Sequence, residues 1–209
     1  MDELSNDLQA TYHKVDELDL PDSIKSLIKH TIASDFKITP ENVLRIWTIP
    51  GAQKDLLGLK TSILWLEKGN KRSGKEHILI GHGQEFLKKG IPTDKLEELA
   101  EATTTVGYHS GKYQGKGKGR PILLLHFYDK PVAVAISVES NGYVVGMNPR
   151  SFNDMMAGLQ LPDGLLESIY TWPQEQEKQQ QQQQLSSKGS SSSNSNKNSR
   201  STIEIGPKF

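Results

Sequence analysis

The chain has 209 residues, a length that suits one domain with appendages. Basic and acidic residues number 25 each, so bulk charge gives no reason to expect a nucleic-acid or membrane partner; only local clustering could supply one. The absence of cysteine excludes disulfides, thiolate nucleophiles and Cys-ligated zinc.

Hydrophobic residues make up 34% of the chain. The shortfall is concentrated: from Gln174 to Ser201 almost nothing is apolar except Leu185. The acidic start, Met1-Asp-Glu-Leu-Ser-Asn-Asp7, does not read as a secretory signal. No apolar run approaches about 18 residues, so no membrane partner is expected and the expected location is the cytoplasm.

The first fifty residues read as helical. Leu4, Leu8, Tyr12 and Val15 form one stripe. Pro21-Asp22-Ser23 starts a second helix, with Ile24, Leu27, Ile28 and Ile32 on its buried face. Thr39-Pro40-Glu41-Asn42 reads as the start of a third, carrying Val43, Leu44 and Trp47 and ending at Pro50-Gly51. Residues 57–66 suggest a strand or strand pair, and Asn70–Gly74 a loop. Glu76–Lys89 reads as a helix bearing His77 and His82. Thr93-Asp94 caps another helix that buries Leu96, Leu99 and Ala100.

The period then changes to two. Thr103–Tyr108 reads as a weak strand and Tyr108–Arg120 as a glycine-rich basic loop. Ile122–Tyr128, Val132–Val138 and Tyr143–Met147 are strands, the last two joined through Asn141-Gly142, a strong hairpin signal. Residues 121–147 therefore form a three-stranded antiparallel meander. Ser151 is placed to cap a following turn, and Leu159–Tyr170 reads as a last short helix. Six glutamines (179–184) and a Ser/Asn/Lys tract cannot bury enough apolar surface to offset their ordering entropy, so a disordered tail is expected. The extreme C-terminus, Thr202–Phe209, regains some apolar character and reads as a frayed end, with a short docking peptide as the alternative. The expected division is a helical region 1–50, an α+β domain 51–172 and a tail 173–209.

Three segments carry chemistry. The stretch Tyr108–Arg120 holds Lys112, Lys116, Lys118 and Arg120 with no acid, two tyrosines and four glycines from Gly111 to Gly119. Glycines let backbone approach a phosphate, lysine and arginine neutralise it, and tyrosine stacks on an unpaired base; a solvated hairpin tip has the same composition. The stretch Lys75–Phe86 holds His77 and His82, whose five-residue spacing is not the four that a zinc-binding His-Glu-x-x-His needs. The stretch Asn141–Ser151 ends in Asn148-Pro-Arg-Ser151. Aspartate and glutamate are scattered, and no metal or cofactor is expected.

Three elements, His77-Ile-Leu-Ile-Gly-His-Gly-Gln-Glu-Phe86, Gly119-Arg-Pro-Ile122 and Asn141-Gly-Tyr-Val-Val-Gly-Met-Asn-Pro149, resemble one superfamily in their order. It is the ribonuclease group uniting barnase, the EndoU enzymes, the colicin-D-type transfer-RNA nucleases and the RelE toxins. Within it, the likeness is closest to nuclease domains of contact-dependent toxins and phage-associated proteins, over about residues 57–152. The expected fold is α+β: N-terminal helices, read from their apolar stripes and outside the resemblance, then helices packed on one face of a twisted antiparallel sheet. The resemblance implies a metal-independent, toxin-like endoribonuclease with RNA, transfer RNA included, as substrate and an immunity or antitoxin protein as partner. Carried over, the helix histidine is His82, with His77 competing for the role. The phosphate clamp is Arg120, with Arg150 and Lys118 as substitutes, and the hydroxyl is Ser151. Lys112, Tyr113, Lys116, Lys118 and Arg150 would hold RNA. The alternative is a non-catalytic module that grips nucleic acid or protein with the same surface.

Overall fold

The computed structural model describes residues 3–115, 119–157, 159 and 171–172. Lys116, Lys118, all of the expected helix over 159–170 except Leu159, and the tail with its C-terminal segment lie outside the described residues. The chain divides after Trp172 into two units, Met1–Trp172 and Pro173–Phe209. All the described residues belong to the first unit.

Helices α1 (Glu3–Glu17) and α2 (Asp22–Ala33) form where the apolar stripes predict them, and Val15 and Ile28 are fully buried. The third expected helix is not formed. Pro40–Asn42 makes a single 3-10 turn, and Val43–Thr48 continues as strand β1. The segment Val-Leu-Arg-Ile-Trp-Thr is rich in β-branched and aromatic residues and has both faces to bury. Ile46 packs with Val15 and Ile28, whereas the adjacent Trp47 enters the main core. Pro50-Gly51 starts a helix, α3 (Gly51–Leu57). The expected strand over 57–66 is narrower: Ile63–Glu67 forms β2, antiparallel to β1. The strand pair β1–β2 is thus covered by α1 and α2 on one side and by the main core on the other.

Helix α4 (Gly74–Lys88) and helix α5 (Leu96–Val106) form as expected, with Leu96, Leu99 and Ala100 fully buried. Of the weak strand expected over Thr103–Tyr108, residues 103–106 are instead the last turn of α5, and only Tyr108 is strand. Thr104 is tied to β1: its Oγ1 donates to the Ala100 carbonyl at 2.9 Å and accepts from Trp47 Nε1 at 3.0 Å. Most of the expected basic loop is strand β3 (Tyr108–Gln114).

Strands β4 (Arg120–Phe127), β5 (Lys130–Val138) and β6 (Val144–Arg150) make the antiparallel meander and extend it with β3 in the order β3-β4-β5-β6. A short strand β7 (Thr171–Trp172) lies parallel to the far end of β4. At the β5–β6 turn, Gly142 has φ +101 and a Cβ there would lie 2.1 Å from the Ile63 carbonyl. Glycine is needed on both counts, and the close approach lets the Gly142 carbonyl accept from the Trp65 amide.

The class is α+β. Alternate residues of β4 and β5 serve two cores. Leu123, Leu125, Val134 and Ile136 pack with Ile78 and Phe86 of α4 and Leu99 of α5. Ile122, Leu124, Ala133 and Ala135 face the other way, where the short helix α6 (Phe152–Met156) brings Phe152 and Met155 against them. Helices α4 and α5 share one face, as the sequence implies, and α6 adds partial cover to the second. No helix among the described residues is long and apolar enough to cross a membrane.

Candidate functional site

The site is fixed by strand register. Ile122 pairs with Ala135, and Ala135 with Asn148. Two residues along β5 from Ala135 is Ser137, which pairs with Gly146, and the same step on β4 reaches Arg120, level with Ser137. Paired residues project to one face of a sheet, and so do residues two apart. Arg120, Ser137 and Asn148 therefore share the face carrying Ile122 and Ala135. Arg120 Nη1 donates to Asn148 Oδ1 across the intervening strand at 3.5 Å, a long bond that leaves its other N–H groups for a ligand. Among the described residues no carboxylate pairs with Arg120.

His77 comes to this level of the sheet from α4, which runs beside β6. The β5–β6 register shifts between Ser137 and Val138, so the alternation of β6 is broken next to Gly146. A Cβ on Gly146 would lie 3.0 Å from His77 Cδ2 and 3.4 Å from Nε2, so the ring rests on the strand where the side chain is missing. His77 Nδ1 donates to the Lys71 carbonyl at 3.0 Å. That bond orients the ring and puts the proton on Nδ1, leaving Nε2 as the free acceptor of the neutral imidazole. His77 thus lies against β6 at the same end of the sheet as Arg120 and Ser137, but on the face that α4 covers, whereas those two project to the other face, and among the described residues no hydrogen bond joins His77 to either.

Arg120 and Ser137 also line an open cleft of about 440 Å³, together with Leu57, Gln114, Gly119 and Pro121. Gln114 Oε1 is buried and has no hydrogen-bond partner among the described residues. The cleft therefore offers a cation and a hydroxyl to an anion. A nucleotide carries such an anion in its phosphate.

The remaining sequence-derived residues fall elsewhere. His82 lies about one and a half turns beyond His77, and its Nδ1 is 3.2 Å from Glu85 Oε2 of its own helix. Among the described residues no hydrogen bond or ion pair joins His82 to Arg120 or Ser151. Ser151 caps α6, accepting from the Asp154 amide at 3.3 Å, beyond the Arg150–Ala133 pair and well along the sheet from Arg120. Lys112 Nζ donates to the Asp154 and Ala157 carbonyls at 2.8 and 3.3 Å and so clamps the end of α6. Tyr113 is exposed and packs edge-on against His109 at 5.0 Å. Arg150 is exposed at the end of β6. Burial holds the His109 imidazole below its ordinary value. Ser137 and Asn148 are absent from the sequence-derived set. Ser137 reads as an ordinary strand residue, and only the register shows it to be level with Arg120.

Comparison with protein-family models and with curated proteins returns no match for the chain.

Proposed function

We propose that the chain is a metal-independent endoribonuclease whose proton-transfer group is His77. The observation that supports this reading is that His77 and Arg120 come to the same end of the sheet, from its two faces, beside an open cleft lined by Arg120 and Ser137. The imidazole is oriented through Nδ1, and the guanidinium has no carboxylate partner among the described residues. In this reading Arg120 and Ser137 hold the non-bridging oxygens of a phosphodiester, and Asn148 orients Arg120. The ribose 2′-oxygen attacks the adjacent phosphorus in line, and His77 Nε2, at the same end of the sheet, takes its proton through bridging solvent as the new P–O bond forms. The bond to the 5′-oxygen breaks, and that oxygen leaves with a proton from solvent in the open cleft. The products are a 2′,3′-cyclic phosphate and a 5′-hydroxyl. The chemistry asks for a base and a cationic clamp, and the donors at hand are imidazole, guanidinium, hydroxyl and amide. Transfer RNA is the substrate class that the family likeness suggests, and an inhibitory immunity or antitoxin protein is the partner that a cellular ribonuclease of this kind requires.

The test is cleavage of total RNA in the presence of EDTA, with the new ends mapped. Cyclic phosphate ends are expected. Binding of RNA without any new ends would instead leave the face as a nucleic-acid-gripping module.

A further inference from the structure

A second cavity, of about 300 Å³, opens at the other end of the same sheet. Lys89, Arg150, Ser151 and Asn153 line it, with Pro131 and Phe152 forming apolar walls. Lys89 is the C-cap that follows α4, and Arg150 is the last residue of β6, so two separate elements bring two cations to one hollow. Both are exposed, and among the described residues neither forms an ion pair. Ser151 Oγ uses a lone pair on the Asp154 amide, which leaves its proton to donate. Two cations, a free hydroxyl proton and a side-chain amide converge with no acid among the lining residues. That donor set fits a phosphate oxygen cluster.

We infer that this cavity is a second phosphate subsite, holding a backbone phosphate of the same RNA strand at a distance from the bond that is cut. The inference rests on the ribonuclease reading above. Arg150 pairs with Ala133, and Arg120 lies two residues beyond the Ile122–Ala135 pair, with β5 between them. At about 3.3 Å per residue and about 4.8 Å per strand, the two positions are roughly 16 Å apart on one face. A short run of nucleotides spans that distance by passing around α6, which packs on the residues between. Lys89, Arg150 and Ser151 thereby serve strand binding, and Ser151 takes no part in bond breaking.

The experiment uses a 2′-O-methyl oligouridylate of about twelve nucleotides, which has no free 2′-hydroxyl and cannot be cut by this route; its length lies within the range that single-strand sites cover. Backbone amide shifts of the full chain are followed during titration, at Ser151 and Asn153 for this cavity and at Gly119 and Ser137 for the cleft. Both pairs are expected to move. In Lys89→Ala/Arg150→Ala the first pair is expected to stay still while the second still moves. The slope of log affinity against log salt should fall by about two, roughly one per lost contact. Movement at Gly119 and Ser137 alone overturns the second subsite and leaves the ribonuclease reading standing. Movement at Ser151 and Asn153 alone upholds the subsite and removes the cleft from the reading. Stillness at all four sinks both. Both substituted side chains are exposed, and an unchanged melting temperature in the double variant confirms that folding is not the cause.

Discussion

At the scale of single residues, the contact between His77 and Gly146 decides which histidine meets the sheet. A methyl group at 146 would stand 3.0 Å from the ring. The ring must then give way by a few tenths of an ångström, which is enough to disturb a proton-transfer geometry. Gly146→Ala is expected to lower cleavage at least tenfold while the melting temperature stays within a few degrees. Intact cleavage in a folded Gly146→Ala protein contradicts the role proposed for His77. The sequence shows the two histidines diverging on their helix at a spacing of five. It does not show which one meets the sheet, because that depends on a glycine about seventy residues away that leaves room for only one ring.

A second residue-scale device is the knot around Glu98. Burial pushes its carboxyl up, but hydrogen bonds from Lys95, Tyr128 and Trp172 outweigh this and hold it below its ordinary value of 4.5. The Tyr128 hydroxyl and the Trp172 indole both donate to Oε1, at 2.6 and 3.0 Å. Lys95 Nζ lies 2.8 Å from Oε2, and its ammonium is held above its ordinary value by the bond to Glu98 first and Tyr128 second. A carboxylate with a lowered folded value stabilises the fold above its unfolded value and loses that contribution as pH falls through the folded one. Glu98→Gln is therefore expected to cost about 2 kcal/mol at neutral pH, of the order of charged hydrogen bonds, and progressively less below pH 4.5. Denaturant midpoints of the two proteins across pH 3–7 check this; a gap that stays constant or widens on acidification contradicts it.

At the scale of elements, the short helix α6 has five residues, too few to persist in water without support. Ser151 caps one end and Lys112 ties the other to β3. Lys112→Ala is expected to speed amide hydrogen exchange at Met155 and Ala157 several-fold, with at most about 1 kcal/mol lost globally, as for other exposed side-chain bonds. Unchanged exchange there removes the clamp from the description. In the sequence Lys112 reads as an RNA contact, because a run of basic residues on a glycine-rich stretch carries no sign of the carbonyls that wait across the sheet. Strand β1 reads as a helix for a related reason. Thr39-Pro40-Glu41-Asn42 is a sound helix start, and Val43, Leu44 and Trp47 mimic a helical stripe. What overrides them is pairing with β2 and a core on each side, which a local pattern does not contain. The meander is legible because Asn141-Gly142 fixes its turn and the flanking segments alternate.

At the scale of the whole molecule, Phe86 ties α4 into the main core and is fully buried. Phe86→Ala is expected to cost about 3–5 kcal/mol, the cost of a large cavity, and to reduce cleavage through loss of folded protein. Denaturant unfolding checks the cost, and a loss under about 1 kcal/mol would place α4 outside the cooperative core. The α+β class is readable from the switch of period near residue 108. The arrival of a helix histidine, a β4 arginine and a β5 serine at one end of the sheet is not, since it follows from the pairing of Ser137 with Gly146 and from α4 running beside β6.

The central claim, that His77 acts on a phosphodiester held by Arg120, is tested most directly by comparing RNA cleavage in EDTA by the wild-type chain, His77→Ala and His82→Ala, with folding checked by thermal denaturation. Removing the proton-transfer group is expected to cut the rate by about a hundredfold or more, whereas His82→Ala should cleave at close to the wild-type rate. A folded His77→Ala protein that cleaves as fast as the wild type, or a loss confined to His82→Ala, contradicts it.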